Sequence, residues 1–357
     1  MTHIELYKKY RPTVWGEIIG QDRVVKSLQV AVTNNKIPTA YLFSGDRGCG
    51  KTSAALILAK AVNCEDLQRG GNPCNQCETC KNIDEGTQLG VTYISAAYKS
   101  SVDDVRQLVI EARIAQPVKV PVFIIDEAHN YRQGKGFEAL LIPLEAVDMN
   151  ALFIFCTTEI EKIPATILSR TQSRKFNLVN AETMTGFVSK VVEKEGITAT
   201  EEQIASAVMS GRGSVRDTLS AFEEILSTGE VHTSHVGKLV ESLGTHEITK
   251  VLASLAEAVA DGNDCRVLAE ELFEEFRNLL LLAVNVDSDL VGVVSSVNPK
   301  DTLKSFINRS VLMKVMGFLG TAITQMSTGN DSRITLEIAL IKSVEMLKQA
   351  EARRQSR

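Results

Sequence analysis

A nine-residue motif near the start of this 357-residue chain constrains its fold more than any other feature. Residues 45–53 read Gly-Asp-Arg-Gly-Cys-Gly-Lys-Thr-Ser and fit the phosphate-binding pattern G-x-x-x-x-G-K-[ST]. The pattern requires a strand before the loop and a helix after it. The apolar run 41–43, which ends at Ser44, predicts the strand, and the Ala-, Leu- and Lys-rich run 54–61 predicts the helix. A chance Gly-rich turn would lack these flanks, so we interpret the motif as a phosphate-binding loop.

The motif assigns chemistry to its members. Glycines let the backbone wrap around phosphate groups, and the free N–H groups at the start of a helix bind anions. We expect Lys51 to reach the β and γ phosphates of ATP and Thr52 to hold magnesium. The other residues of the expected phosphate cradle are Gly45, Asp46, Arg47, Gly48, Cys49, Gly50 and Ser53.

An apolar strand that ends in two acids follows the motif at residues 121–127. Acids often cap a following helix, so this pattern has little weight alone, but behind a phosphate-binding loop it indicates an ATPase. Asp126 would hold magnesium through water, and Glu127 would orient or deprotonate the attacking water. We assign His129 a structural role. Thr157 ends another apolar strand and is either a sensor of the γ-phosphate or a plain strand terminus.

Strand and helix signals alternate through the first half of the chain. Further strands are expected at 91–95, 151–156 and 174–178, and helices at 22–34 and 103–115. This alternation predicts a parallel, doubly wound α/β sheet that binds ligands at the carboxyl ends of its strands. Strand signals end at Asn180, and the remainder is predicted to be helical. The last helix is expected to place one apolar face inward, formed by Leu336, Leu340, Val344 and Leu347.

Four of the seven cysteines lie close together in a short polar stretch with turn-forming residues between them. Four thiolates at this spacing suit a tetrahedral structural zinc ion, which would order a loop that has little core of its own. Unpaired thiols or disulfides are the alternatives, and a reducing cytoplasm disfavours disulfides. The zinc ligands are predicted to be Cys64, Cys74, Cys77 and Cys80, whereas the isolated Cys49, Cys156 and Cys265 are predicted to be small core or loop residues.

Charge and hydropathy exclude some classes of protein. No apolar run is long enough to span a membrane, and the N-terminus lacks the apolar core of a signal peptide, so we expect a cytoplasmic protein. The net charge of −5 argues against a strongly basic DNA-wrapping protein. Residues 1–178 carry 21 Lys and Arg against 19 Asp and Glu, whereas residues 179–357 carry 18 against 25. Any nucleic-acid contact is therefore expected to be a local patch in the first half.

Together these motifs resemble the bacterial DNA polymerase III gamma/tau subunit, the motor of the sliding-clamp loader in the AAA+ class. The cysteine loop within such a module is the most family-specific feature. Because the sequence stops at residue 357, we expect a short form of this subunit or a phage-encoded relative of it. The resemblance rests on Tyr10-Arg11-Pro12, Ile19-Gly20-Gln21, residues 43–53, the four cysteines, residues 126–129, Thr157-Thr158, residues 167–170 and residues 213–217.

The resemblance implies further roles. Arg170 matches an arginine finger supplied in trans to the ATP of a neighbouring subunit, and Arg216 matches a second sensor of the chain's own γ-phosphate. Thr157 matches the first sensor. The adenine pocket is implied near Tyr10, Arg11 and Ile19, and Lys99 and Arg106 fall near the DNA-facing helix.

The family also implies an organisation and a set of partners. We expect an AAA+ nucleotide-binding domain (1–178) with an inserted zinc loop (64–80), a helical lid (179–242) and a helical collar (243–357) that assembles five subunits into a ring. The expected partners are the other clamp-loader subunits, the sliding clamp and primer–template DNA, with no membrane.

Three positions depart from the family pattern. Thr171 replaces the usual Cys, Ala146-Val147 replaces Glu-Pro, and Ser95 stands where an acid is common. Two other functions remain possible, namely a non-hydrolysing ring scaffold and a different AAA+ DNA-remodelling ATPase. The intact Lys51 and Glu127 argue against the scaffold. The cysteine loop and the helical last third argue against the second alternative.

Overall fold

The structure of the chain is a computed structural model that describes residues 4–98, 101–114, 116–131, 135–146, 150–229, 235–283 and 309–355. The chain forms two compact units. The first comprises Met1–Val191 with Gly213–Glu223, and the second comprises Val192–Arg212 with Glu224–Arg357.

A five-stranded parallel sheet forms the centre of the first unit, in the order β2-β3-β4-β1-β5. Because all strands run in the same direction, their carboxyl ends meet at one edge. The register aligns Ser44 with Thr157 and Ser95 with Asp126 at that edge. The strands are β1 (Ala40–Ser44), β2 (Val91–Ser95), β3 (Val122–Asp126), β4 (Leu152–Thr157) and β5 (Gln172–Lys175).

Burial explains which strands the sequence revealed. Every residue of β1 and β4 is buried, which accounts for their continuous apolar runs. The expected strand at 174–178 begins two residues and ends three residues too late, since β5 spans Gln172–Lys175. This edge strand is mostly exposed and polar, so it carries no apolar signal, and the apolar Phe176 that suggested a strand packs into the core after β5 ends.

Helices cover both faces of the sheet. One core includes Trp15, Phe43 and Leu58, and the other includes Phe123 and Leu140. The helices of residues 1–228 are α1 (Leu6–Lys9), α2 (Asp22–Thr33), α3 (Lys51–Asn63), α4 (Glu78–Glu85), α5 (Val102–Arg113), α6 (Lys135–Glu145), α7 (Ala165–Leu168), α8 (Ala181–Glu195), α9 (Glu201–Ser210) and α10 (Val215–Thr228).

The remaining described residues are helical, as the sequence predicted. Leu336, Leu340, Val344 and Leu347 are all fully buried in the core of the second unit, which confirms the predicted apolar face. Within the described ranges, no helix has the length and hydropathy needed to cross a bilayer. These helices are α11 (His235–Gly244), α12 (Ile248–Ala260), α13 (Cys265–Ala283), α14 (Arg309–Ser327) and α15 (Ser332–Gln355).

The predicted parallel α/β P-loop module followed by all-helical regions is confirmed. The phosphate-binding motif lies between β1 and α3 in the strand–loop–helix arrangement that the sequence required.

Candidate functional site

The phosphate-binding loop depends on its glycines. Gly45, Gly48 and Gly50 have φ angles of 142°, 75° and 101°, which residues with a Cβ adopt only at a cost. A Cβ at Gly45 would collide with the carbonyl oxygen of Phe176, and one at Gly48 would collide with Ser214 Oγ. The φ angle therefore favours glycine at all three positions, and at Gly45 the backbone of Phe176 also leaves no space for a Cβ.

Lys51 begins α3 and is held within the loop. Its side chain is nearly buried, and Nζ donates to the carbonyl oxygens of Gly45 and Asp46, each at 2.6 Å. Cys49 Sγ donates to the same Asp46 carbonyl at 2.8 Å. The positive charge of Lys51 therefore lies among the backbone atoms that the motif assigns to phosphate binding.

Asp126 at the end of β3 meets the start of α3. Thr52 Oγ1 donates to Asp126 Oδ2 at 3.0 Å, which joins the two residues predicted to hold magnesium. Tyr93 of β2 donates its hydroxyl to the same carboxylate oxygen at 2.6 Å. Desolvation first, and then this hydrogen bond, raise the pKa of Tyr93, so it remains a donor at neutral pH. A hydroxyl and a carboxylate in contact are suitable oxygen ligands for Mg²⁺.

Glu127 has an unusual backbone conformation. Its φ of 51° is left-handed, which for a non-glycine residue costs about 1–3 kcal/mol. Its backbone N–H donates to Asp126 Oδ1 at 3.0 Å, and its side chain is 40% exposed on the cavity wall. With this backbone conformation the chain leaves the direction of β3 at Glu127, and Glu127 lines the cavity.

His129 connects Glu127 to Thr157. His129 Nδ1 lies 3.0 Å from Thr157 Oγ1, and Nε2 lies 3.5 Å from Glu127 Oε2 and 3.2 Å from Glu159 Oε1. Two carboxylates face Nε2, so we assign the imidazole proton to this nitrogen. Thr157 Oγ1 accepts the backbone N–H of Glu159 at 3.0 Å and can donate its own proton to Nδ1. Thr157 is therefore linked to the cavity through His129.

Tyr93, Asp126 and Glu127 border a cavity of about 460 Å³. Tyr10, Arg11 and Ile19 line one part of it, as the resemblance implied for an adenine pocket. Arg216 from α10 also lines the cavity. Its guanidinium lies 4.8 Å from the ring centre of Tyr7, in cation–π contact. The phosphate-loop residues that line the cavity are Arg47, Gly48, Cys49, Gly50, Lys51, Thr52 and Ser53.

Arg170 is held by residues that do not belong to this cavity lining. Its Nε donates to Glu145 Oε1 at 2.7 Å, and its Nη2 also bonds that oxygen. Nη1 donates to the carbonyl of Thr166 at 2.8 Å and to Ser169 Oγ at 3.2 Å. The Arg170 side chain remains one-third exposed, so it can face another molecule.

The four predicted zinc ligands come together between α3 and α4. The Sγ atoms of Cys64, Cys74, Cys77 and Cys80 all lie within 4.8 Å of one another. Cys64 and Cys80 are buried, and the other two are partly exposed. A compact set of four sulfur donors fits a tetrahedral zinc ion with no open coordination position.

Hydrogen bonds within this cluster favour a thiolate. The backbone N–H groups of Cys77 and Gln76 donate to Cys74 Sγ at 3.3 and 3.4 Å and lower the pKa of that thiol to about 6. Burial raises the pKa of Cys64 and of Cys80. A divalent cation would stabilise all four thiolates, so the donor set fits zinc chemistry.

Other predicted positions have less defined surroundings. Lys99 and Val147 lie outside the described residues. Arg106 forms an exposed ion pair with Asp103 at 3.1 Å on α5. Thr171 Oγ1 donates to the carbonyl of Leu168 at 3.4 Å.

Two polar residues make contacts near the site that the sequence did not predict. Tyr93 is found only through the pairing of β2 with β3, which places it near Asp126. Gln21 is buried, and its side chain exchanges hydrogen bonds with the backbone of Asn177 at 2.6 and 3.1 Å and reaches the carbonyl of Cys49 at 3.4 Å. A polar residue at the start of a helix usually signals a cap, so its contact with Asn177, 156 positions away, could not be predicted.

Comparison with known proteins identifies sequence relatives over nearly the whole chain. The DNA polymerase III subunit tau of Bacillus subtilis is 34% identical over 360 residues, covering 96% of this chain and 63% of that protein. The DNA polymerase III subunit gamma of Buchnera aphidicola is 28% identical and covers 97% of this chain and 92% of that protein. The chain is a relative of the bacterial DNA polymerase III gamma/tau subunits. A family profile described as DNA polymerase III, delta subunit, matches residues 20–180 of this chain.

The chain spans about three fifths of the length of several curated proteins that it matches. For the gamma/tau subunit of Mycobacterium tuberculosis, also 34% identical, the covered shares are 93% of this chain and 61% of that protein. Among solved structures, the clamp loader delta protein of Bacillus subtilis matches with a TM-score of 0.41 at 10% identity, covering 89% of this chain and 99% of that one. The RuvB branch migration motor of Thermotoga maritima gives 0.46 at 17% identity, covering 80% and 89%. Both TM-scores are below 0.5, so no conclusion is drawn from either structure.

Proposed function

We propose that this chain is the ATP-hydrolysing motor subunit of a sliding-clamp loader. The observation that carries the proposal is the meeting of Lys51, Thr52, Asp126 and Glu127 around one cavity, in a relative of the gamma/tau subunits. Binding and hydrolysis of ATP would open a sliding clamp and load it onto primer–template DNA. Such a protein would work in the cytoplasm, where bacterial DNA is replicated.

The residues of the cavity would have different roles in phosphoryl transfer. Lys51 and the backbone N–H groups of the loop would neutralise phosphate charge. Thr52 and Asp126 would hold Mg²⁺, with Tyr93 fixing the Asp126 carboxylate through its 2.6 Å hydrogen bond. The magnesium ion supplies electrostatic stabilisation of the transferring phosphoryl group.

Glu127 would position and deprotonate the attacking water. Glu127 has a left-handed backbone and lines the cavity, and His129 Nε2 lies 3.5 Å from its carboxylate. Thr157 would act on the phosphate end through His129, as part of the first sensor, and Arg216 would contact the γ-phosphate from α10. Positioning of water and charge is the main catalytic requirement of this reaction.

Arg170 would complete the site of a neighbouring subunit. Its side chain is one-third exposed, and Glu145 and the backbone of Thr166 orient the planar guanidinium. Such a group can bind the equatorial oxygens of a phosphoryl group in a second chain. This role supports a ring of five subunits that contains companion subunits.

The proposed organisation follows the same roles. Residues 1–178 would bind ATP and, through their cysteine loop, one structural zinc ion. Residues 179–242 would form a lid, and residues 243–357 a collar that joins subunits. Because residues 179–357 have a net charge of −7, DNA contacts are assigned to the first part of the chain.

ATP turnover by two single variants tests the proposal. Glu127→Gln should bind ATP but hydrolyse it at least ~10²-fold more slowly, which is the usual cost of losing a general base. Lys51→Ala should lose nucleotide binding. Undiminished ATPase activity in Glu127→Gln would refute the catalytic assignment. Failure of the assembled complex to respond to primed DNA and clamp together would refute the clamp-loader role.

A further inference from the structure

The loop that carries the cysteine cluster anchors the N-terminal segment of the chain. Trp15 is fully buried, and its indole Nε1–H donates to the carbonyl of Gly71 at 2.8 Å. The backbone N–H of Trp15 donates to Asn72 Oδ1 at 3.0 Å. Gly71 and Asn72 lie between Cys64 and Cys74. Both N–H groups of Trp15 are therefore satisfied by the cysteine loop.

Asn75 extends this connection from within the cluster itself. It lies between Cys74 and Cys77, and its Nδ2 donates to the carbonyl of Thr13 at 3.3 Å. Its Oδ1 accepts Lys60 Nζ at 2.8 Å. Lys60 is 1% exposed and belongs to α3, the helix that begins at Lys51. One amide side chain thus joins the cluster to the N-terminal segment and to the phosphate-binding helix.

The anchored segment forms a wall of the nucleotide cavity. Residues 10–12 lie immediately before Thr13, and residues 17–19 begin two positions after Trp15. All six residues line the cavity. The segment has little secondary structure of its own, since α1 has four residues and the turn Trp15–Glu17 has three, and neither has a side-chain cap. Its position therefore depends on contacts such as those with Gly71, Asn72 and Asn75.

We propose that the cysteine loop is a positioning element for the nucleobase end of the cavity. With its thiolates bound to a metal, the loop fixes Thr13 and Trp15 and thereby holds residues 10–12 and 17–19 in place against the base. The phosphate end is built separately by the glycines and Lys51. Loosening the cysteine loop therefore weakens the binding of ATP more than the binding of inorganic tripolyphosphate, which has no base. The inference rests on the proposed nucleotide site.

Two substitutions at Asn72 separate the hydrogen bond from the rest of the side chain. Asn72→Ala removes the acceptor for the Trp15 N–H, and the φ of −78° at this position is compatible with alanine. Asn72→Asp keeps an oxygen acceptor for the Trp15 N–H, and it replaces the Nδ2 donor to the Arg69 carbonyl with a charged oxygen. The affinities of the full chain for Mg–ATP and for Mg–tripolyphosphate are measured by calorimetry. Thermal unfolding verifies that each variant is folded.

Asn72→Ala should bind ATP about three- to fivefold more weakly, which corresponds to one neutral hydrogen bond, and should bind tripolyphosphate within twofold of the wild type. Asn72→Asp should match the wild type for both ligands. Wild-type protein treated with a zinc chelator provides a second arm that needs no substitution, and it should show the same selective loss for ATP.

The outcomes distinguish this inference from the proposed function. Unchanged ATP affinity in both Asn72→Ala and the chelated protein would overturn the positioning role. Equal weakening of ATP and tripolyphosphate would also overturn it, because the loop would then act on the whole cavity. A wild-type chain that binds neither ligand would instead refute the nucleotide site itself.

Discussion

Replacing His129 with alanine should slow ATP hydrolysis while ATP still binds. His129 Nε2 lies 3.5 Å from Glu127 Oε2, which is long for a hydrogen bond, and the Glu127 side chain is 40% exposed. Solvent therefore weakens the contact, and we assign it about 1 kcal/mol rather than the larger values of buried charged pairs. If that energy holds Glu127 in its productive position, its loss lowers kcat about fivefold. KM should stay within twofold, because His129 makes no contact with the phosphate loop residues named above.

Steady-state ATPase assays with separate values of kcat and KM test this expectation. His129→Gln retains an N–H donor that can reach a carboxylate, so it should recover part of the lost kcat. Lys162→Ala is a matched control, since it removes the 2.6 Å ion pair of Glu159 and leaves the contact with Glu127 intact. A folded His129→Ala variant with kcat within twofold of the wild type would refute the reasoning. So would an effect confined to KM.

Three further predictions concern the metal, the neighbouring subunit and DNA. Elemental analysis should find about one zinc per chain, and Cys77→Ser should lower this content; well under one zinc in the wild type, with four freely titratable thiols, would contradict the assignment. Mixing Arg170→Ala with Lys51→Ala subunits should restore part of the ATPase activity, because some interfaces then contain one intact site, and rings without any rescue would count against a finger in trans. Changing Lys99 and Arg106 to alanine should reduce the stimulation of ATPase by primed DNA and clamp without altering the basal rate. The stimulation itself should fall as salt rises, and insensitivity to salt would argue against phosphate contacts.

Much of the fold could be predicted because buried elements carry strong patterns. The strands β1, β3 and β4, which are apolar up to a polar last residue, were placed within one residue of their observed bounds, and the apolar face of the last helix was identified correctly. The edge strand β5 was misplaced, since an exposed strand gains nothing from apolar residues. Helix α3 begins at Lys51, three residues before the apolar run that revealed it, because a phosphate-binding loop leads directly into its helix.

The candidate site shows the same division between local and distant contacts. The P-loop and the acidic strand end are local motifs, so Lys51, Thr52, Asp126 and Glu127 were candidates from sequence, and their catalytic roles stay predictions. The contact of Tyr93 with Asp126 depends on the pairing of β2 with β3, and 26 residues separate these two strands in the sequence. His129 was assigned only a structural role, because a sequence does not show that two carboxylates and a hydroxyl surround its ring.

The sequence by itself determined the parallel α/β module, the phosphate-binding loop and a compact cysteine loop. Each of these depends on residue type and spacing over a short stretch, where backbone geometry leaves few alternatives. Tertiary structure alone decided that Asn72 and Asn75 bind the segment around Thr13 and Trp15, and that Glu145 orients Arg170. These contacts join residues that are 25 to 62 positions apart. Their formation depends on how whole elements pack, which local propensity does not specify.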